Sequence, residues 1–308
     1  MLSYIAKNIF HSVLIILGVI TLSFILIYLV PGDPVKLILG QRADEKTIEI
    51  VNKEMGFDKP VYVRYVNYVI KTFKGDLGKS FISNRDVLAT ILDKFPATAL
   101  LSFIAITLAA IIGVFLGLLA SIKSYSILDN IFILISLVGI SIPQFVLGLF
   151  MAFVFGAVLK ILPVTGYVNN GLQFLILPVL TLSLRPMAII ARITRSSMIE
   201  VRNQDYVVTA RAKGLSNLKV VIKHILRNAL NPTVTAISSS LAATLGGVFF
   251  IEYIFNWPGI GLLAIDSIMK LDYPMIQGTV LFSALIFVVI NFFVDIIYAY
   301  LDPKVKLS

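Results

Sequence analysis

The chain has 308 residues, of which 58% belong to the set AVILMFWYC and 14% are charged; its mean hydropathy is +0.94. A soluble domain carries about 45–50% apolar residues even with glycine counted, and about 25% charged ones. This composition therefore excludes a water-soluble enzyme, a disordered protein and a nucleic-acid-binding domain, despite 26 Lys and Arg against 17 Asp and Glu. Zero cysteines exclude disulfides and thiolate metal sites, and two histidines far apart, His11 and His224, leave no basis for a zinc or haem site.

A hydrocarbon layer of about 30 Å needs about 20 apolar residues of helix, because every backbone amide must find its partner within the segment. The windows almost free of charge are 8–32, 95–122, 130–159, 172–191 (broken by Arg185), 228–251 and 273–301 (broken by Asp295). They predict six membrane helices. The first is too long for the core of a cleaved signal peptide and has no A-x-A-like site after it, so it reads as a retained span. Between the fourth and fifth windows, residues 192–227 hold eight basic and two acidic residues, which places that loop in the cytoplasm and both termini with it. Residues 31–96 carry eleven basic and nine acidic residues, a near-neutral balance expected outside. There Val61, Tyr62, Tyr65, Val66, Tyr68, Val69, Ile70 and Phe73 recur at helical spacing among charges, which predicts short helices on the outer face. No internal repeat or low-complexity tract is present, and residues 1–308 read as one membrane domain.

Three ionisable residues fall at membrane depth: Arg185, Glu252 and Asp295. Each is a transport candidate by virtue of the cost of burying it, and each has a plainer reading as a helix-end or interhelical polar contact. Gly113 and Gly117 form a G-x-x-x-G, and Gly148, Ala152 and Gly156 repeat at four-residue spacing, as close helix packing requires. The fifth span is crowded with Ser238, Ser239, Ser240, Ala242, Ala243, Gly246 and Gly247, which serve packing or line a polar pathway. Pro143, Pro178 and Pro186 are expected to interrupt the helical ladders of spans three and four. Trp257, the sole tryptophan, precedes Pro258 and Gly259 and is expected to anchor at the membrane interface above a tight turn.

In the basic loop, Asp205, Tyr206, Val207, Val208, Thr209, Ala210, Arg211, Ala212 and Lys213 read as a short helix ended by Gly214 and followed by Leu215. Leu218, Val221, Ile222, Ile225 and Leu226 set up a second, amphipathic helix leading to Asn231-Pro232. Such a hairpin either docks into another protein or lies on anionic headgroups.

At this loop the chain resembles the permease subunits of binding-protein-dependent ABC importers, whose EAA signature is partly matched by Ala210 and Gly214. Val208 stands where the signature has Glu, and His224, Leu226 and Arg227 fall on its Ile, Leu and Pro positions. The departures are similar to the oligopeptide, dipeptide and nickel branch, B-subunit type. That branch also looks like this chain at Pro31-Gly32-Asp33-Pro34, Gly75-Asp76-Leu77-Gly78-Lys79-Ser80, Ile142-Pro143 and Trp257-Pro258-Gly259-Ile260-Gly261, in the same order.

The resemblance implies an all-α integral membrane protein: six transmembrane helices in a type I importer bundle, an extracytoplasmic helical loop at 31–96 and a cytoplasmic coupling loop at 192–231. It implies a homologous permease as pathway partner, two cytoplasmic ATPase subunits that bind ATP and Mg, and an extracytoplasmic binding protein. Residues 205–215 are then the segment seated in an ATPase, while Ser238, Ser239, Ser240, Gly246, Gly247, Trp257, Pro258, Gly259 and Asp295 are expected at the pathway or its gate. The chain has no G-x-x-x-x-G-K-[ST] loop, so neither cofactor nor catalytic residue is expected on it. Di- or oligopeptide is the expected cargo, with nickel as the alternative within the branch. A stand-alone ion-coupled transporter using Asp295 is the competing class. An intramembrane enzyme fails on residue types, since no Ser/His/Asp, paired-Asp or metal-ligand cluster falls in the spans.

Overall fold

The computed structural model describes residues 2–29, 58–122, 124, 126–246 and 248–301, with 2–9, 26–29, 128, 130, 135 and 295–301 described as backbone. Pro31-Gly32-Asp33-Pro34, Gly247 and the side chain of Asp295 lie outside the described residues. The principal helices are α1 (Leu2–Leu29), α2 (Val61–Phe73), α3 (Val87–Ile122), α4 (Ile127–Ser141), α5 (Gln144–Met151), α6 (Ile176–Arg202), α7 (Asp205–Ala212), α8 (Arg227–Gly246), α9 (Phe249–Ile254), α10 (Ile260–Met269) and α11 (Tyr273–Leu301). The all-helical expectation holds: among the described residues the sole β pairing is an isolated bridge between Lys79 and Asp86.

Among the described residues three helices are long and apolar enough to cross a membrane: Val87–Ile122, Leu172–Arg202 and Tyr273–Val294. Residues Ile131–Ser141 of α4 and Gln144–Val158 meet the same standard taken together, with a bend of 97° at Ile142–Pro143. In α1 the stretch Phe10–Ile25 is a shorter apolar helix. The fifth expected span is α8, whose Ser, Thr and Asn content keeps it out of the strongly apolar class. Its ladder takes those hydroxyls back onto itself: Ser240 donates to the Ala236 carbonyl and Thr244 to that of Ser240, each at 2.7 Å.

The described residues group into two compact units. The first combines Met1–Ala97 with Pro258–Val288. Its core is Val87, Ile91, Ile260, Met275 and Phe282, with Leu77, Phe95 and Leu263 packed against it. Gly278 of α11 lies so close to Val87 that a Cβ would collide with the valine Cγ1, so this glycine is required by packing. The loop Gly75–Ser80 turns twice through Gly75 and Gly78, both at φ near +80°. It ends at a buried clip, in which Ser80 Oγ donates to Asp272 Oδ2 (2.5 Å) and the Phe81 N–H to Asp272 Oδ1 (3.0 Å).

The second unit combines Thr98–Trp257 with Val289–Ser308. Helix α6 is its centre, packed against α4, α5 and α8. Against α3 the approach is backbone-close: a Cβ on Gly113 would sit 2.9 Å from the Met187 carbonyl, and one on Gly117 2.7 Å from Thr194 Cβ. The G-x-x-x-G is therefore a packing seam. Pro186 lies inside α6 and cannot donate to the Leu182 carbonyl one turn back. Gln144, the first residue of α5, fills the gap, its Nε2 donating to that carbonyl at 3.4 Å. Pro178 does not interrupt the ladder as expected, because α6 starts at Ile176 and a proline in the first turn has no helical acceptor to lose.

Candidate coupling and pathway site

Helix α6 continues eleven residues beyond the predicted end of its span at 191, reaching Arg202 and carrying the chain into the basic loop. Its last turns are held on three sides. Arg195 Nε and Nη2 donate to the two carboxylate oxygens of Asp129 on α4, 2.5 Å each, in a bidentate fork that buries both charges. Arg202 donates to the Ser121 carbonyl (3.3 Å) and to Ser124 Oγ (3.0 Å). Thr194 and Thr233 bring their hydroxyls to 3.1 Å, tying α6 to α8.

After Asn203 and Gln204 the chain re-enters helix at α7, with Asp205 in the first turn and Arg211 in the last, signs that suit the helix dipole. Val207 and Ala210, three residues apart, are buried on Met198, Val220, Ile225 and Ala229. Asp205, Tyr206, Val208, Thr209, Arg211, Ala212 and Lys213 face outward. The helix thus sits on two buried side chains and shows a mixed apolar and basic face. Tyr206 OH accepts a 2.9 Å bond from Asn228 Nδ2, a second tie to α8.

Gly214 closes the helix at φ +77°, its N–H donating to the Arg211 carbonyl, while the Leu215 N–H reaches the Ala210 carbonyl. No atom lies within 4 Å of the position a Cβ would take. The requirement for glycine here is conformational, since a side chain would be strained without touching anything.

The second loop helix forms where expected and continues further. Helix begins at Asn217, widens into a π-helical stretch over Val220–Leu226 and runs on as α8, with Pro232 inside it and no turn at Asn231-Pro232. Loop and span are one rod, because the widened turn and the buried Val220, Ile225 and Ala229 hold the chain helical where the proline alone would favour a break.

The expected pathway residues are divided between the two units. On α8, Ser239 and Ala243 are exposed and Ser238, Ser240 and Gly246 half-buried. Trp257 is fully buried rather than an interfacial anchor: its ring packs edge-on to Tyr167 at 4.8 Å and its backbone N–H donates to the Glu252 carbonyl at 2.7 Å. Pro258 and Gly259 belong to the first unit, where Gly259 precedes α10 in extended backbone. Glu252 lies on the separate short helix α9, fully buried, and accepts from Thr98 Oγ1 at 2.6 Å. Arg185, Arg192, Ser196 and Glu200 lie exposed on α6, spaced seven, four and four residues apart along one side of the helix.

Sequence reasoning missed the Arg195–Asp129 pair. The signal was present as a lone aspartate at the edge of an uncharged window, opposite in sign to the basic loop, but no local spacing links residues 66 positions apart. Among the described residues no group of three or more His, Asp or Glu is placed to hold a metal.

The family model described as "Binding-protein-dependent transport system inner membrane component" matches residues 113–307, and its N-terminal companion matches residues 1–102. The chain is 39% identical over 306 residues to the glutathione transport system permease protein GsiC of Shigella flexneri serotype 5b. It is 38% identical over 306 residues to the proteins of the same name from Escherichia coli K12 and Salmonella choleraesuis. In all three comparisons 99% of each chain is covered.

Proposed function

The chain belongs to the inner-membrane components of binding-protein-dependent transport systems, as a permease subunit of an ABC importer of the peptide and nickel branch, and from that premise we propose that it forms the translocation pathway for small peptides together with a homologous permease. It is a transport component with no ATPase site of its own. The peptide cargo is suggested by relatives named for glutathione, itself a tripeptide, that match along the whole chain.

In this reading α7 is the coupling helix, and one observation carries the assignment. Val207 and Ala210 fix α7 to α6 and α8, while Tyr206, Val208, Thr209, Arg211 and Lys213 are left exposed, Tyr206 accepting the Asn228 bond. Both helices beneath run from the loop into the bundle without a break. ATP-driven closure of two cytoplasmic ATPase subunits pushes α7, and α6 and α8 carry the displacement inward as levers, biasing the bundle between two access states. The basic loop and both termini are cytoplasmic, and residues 31–96 face the binding protein's side of the membrane.

The pathway side is assigned to the exposed stripe of α6 bearing Arg185, Arg192 and Ser196, with Ser239 and Ala243 of α8. Half of the apolar window of α6 is buried, against 28% for the windows of α3 and α11, so α6 is the central helix. An arginine at the centre of a bilayer costs about 3 kcal/mol on insertion scales, which favours water or a partner's carboxylate over lipid on that side. Asp295, Gly246 and Gly247 remain proposed pathway residues on sequence grounds.

The test is reconstitution of the chain with its co-purifying partners in liposomes. Transport of radiolabelled glutathione or dipeptides, dependent on ATP and the binding protein, is the expected result. Arg211→Glu with Lys213→Glu should lower ATPase recovery on the permease several-fold while membrane insertion is unchanged. Full stoichiometry and normal uptake in that variant would overturn the coupling assignment; uptake of nickel but not peptide would overturn the cargo.

A further inference from the structure

Helix α2 divides its surface into three sectors, and among the described residues one of them is answered by α1. Tyr65 and Tyr68 turn toward α1: Tyr65 OH lies 2.7 Å from Thr21 Oγ1, and the Phe24 ring meets Tyr65 edge-on at 5.4 Å and stacks on Tyr68 at 6.0 Å. A second sector is polar, with Asn67, Lys71 and Lys74 exposed. The third is apolar: Tyr62, Val66, Ile70 and Phe73, spaced at four, four and three residues, are 71, 50, 47 and 59% exposed. These four side chains form an unbroken stripe on a helix of 13 residues that buries no residue of its own.

The depth at which α2 docks decides what covers that stripe. Thr21 and Phe24 stand about 20–25 Å along α1 from Lys7, at 1.5 Å rise per residue. With Lys7 in one headgroup layer, that height is the far rim of a hydrocarbon layer of about 30 Å. Leu22 and Ile25 of α1, at the same height, are themselves 61 and 44% exposed, so the apolar stripe of α2 continues the lipid-facing surface of α1. The polar sector carries lysines, whose long stems reach from an apolar boundary to phosphate oxygens. A helix with an apolar stripe, a basic polar flank and tyrosines between them has the composition of one lying in the interface plane.

We propose that α2 is an interfacial helix, embedded by Tyr62, Val66, Ile70 and Phe73 in the outer-leaflet boundary with Lys71 and Lys74 on lipid phosphates. The occupant of the stripe is lipid, and neither the binding protein nor the second permease covers it. The extracytoplasmic loop is then fastened at its second half to the membrane plane, and α1 is braced against that plane through Thr21 and Phe24.

The chain has no cysteine, so single spin labels are unique within it. Tyr62→Cys, Val66→Cys, Ile70→Cys, Asn67→Cys and Lys74→Cys, each labelled with a nitroxide in the assembled importer in lipid nanodiscs, would be measured for collision with oxygen and with a water-soluble nickel chelate. Samples without an introduced cysteine give the background from partner subunits, and normal uptake by each variant verifies its fold. Labels at 62, 66 and 70 are expected to favour oxygen over the chelate several-fold, and labels at 67 and 74 the reverse. Chelate access at 62, 66 and 70 equal to that at 67 and 74 would overturn the proposal, because the stripe would stand in water. Protection of those three from both reagents would overturn it equally, because protein would cover the stripe.

Discussion

Arg195 and Asp129, 66 residues apart in the chain, meet through two parallel 2.5 Å hydrogen bonds that join the end of α6 to the first turn of α4. The aspartate is almost fully buried and the arginine largely so. Removing one member of a buried pair leaves the other charge uncompensated, at a cost of about 3–5 kcal/mol. Asp129→Ala should therefore lower the thermal stability of the detergent-solubilised complex by several degrees. Asp129→Arg with Arg195→Asp should recover part of the loss. Equal loss in the single and exchanged variants would show that the pair is not the stabilising element.

Gly214 is expected to tolerate no side chain for reasons of backbone alone. Gly214→Ala places a Cβ in open space but in the left-handed region, costing about 1–2 kcal/mol at the end of α7. Gly214→Asn, which reaches that region more readily, should cost less. Uptake per ATP hydrolysed is the measurement: Ala and Val should lower it more than Asn, and identical ratios in all three would remove Gly214 from the coupling path.

Gln144 and Pro186 should be energetically coupled although they do not bond each other. Gln144→Leu leaves the Leu182 carbonyl without the donor that Pro186 withholds, at a cost of about 1–3 kcal/mol. Pro186→Ala supplies a backbone N–H in the same place. In a double-mutant cycle of unfolding midpoints, Gln144→Leu should cost less in the Pro186→Ala background. Additive losses would mean that the side-chain bond contributes nothing.

Tyr68 should make the packing of α2 sensitive to alkali. Burial holds its phenol pKa above the ordinary value of 10, with the Ser23 and Thr72 hydroxyls offsetting part of the rise. The folded state favours the neutral phenol, so the contribution is complete below pH 10 and declines as pH rises through the raised value. Tyr68→Phe removes this dependence along with a buried hydroxyl whose approach to Ser23 and Thr72 does not reach hydrogen-bond geometry, and should be neutral or stabilising by up to about 1 kcal/mol. Thermal midpoints between pH 9 and 11 distinguish the two chains. A parallel decline in both would assign the alkali sensitivity elsewhere.

The features legible in the sequence are those with a local period or a forced residue type. Charge-free windows located the apolar helices, Gly214 marked the end of α7, and Gly113 with Gly117 marked a seam, because each follows from one stretch of chain. The break before Pro143 was legible too, although the 97° it opens was not. Long-range polar joints were illegible. Nothing near Ser80 announces Asp272, and nothing near Thr98 announces Glu252, since membrane packing brings together residues 192 and 154 positions apart without any shared pattern. Trp257 misled for a related reason: tryptophan prefers the interface on average, but here Tyr167 encloses it. The continuity of loop and α8 was hidden by Pro232, a residue that breaks helices in water and is tolerated where neighbouring helices hold the rod.

The π-helical stretch Val220–Leu226 sets an angle as well as a shape. A widened turn takes up about one residue more than an α-turn, and each residue of an α-helix rotates the chain by about 100°. The stretch is thus a phase adjuster between the seat of α7 and every side chain of α8 beyond it. Deleting a single residue there would let the rod close into ordinary α-helix, with its helix content and hydropathy almost unaltered. With no residue deleted, closing the same stretch into α-helix would instead swing Val220 a quarter turn or more away from the faces of Ala229 and Thr233, so that the seat of α7 and the span would no longer address the same neighbours.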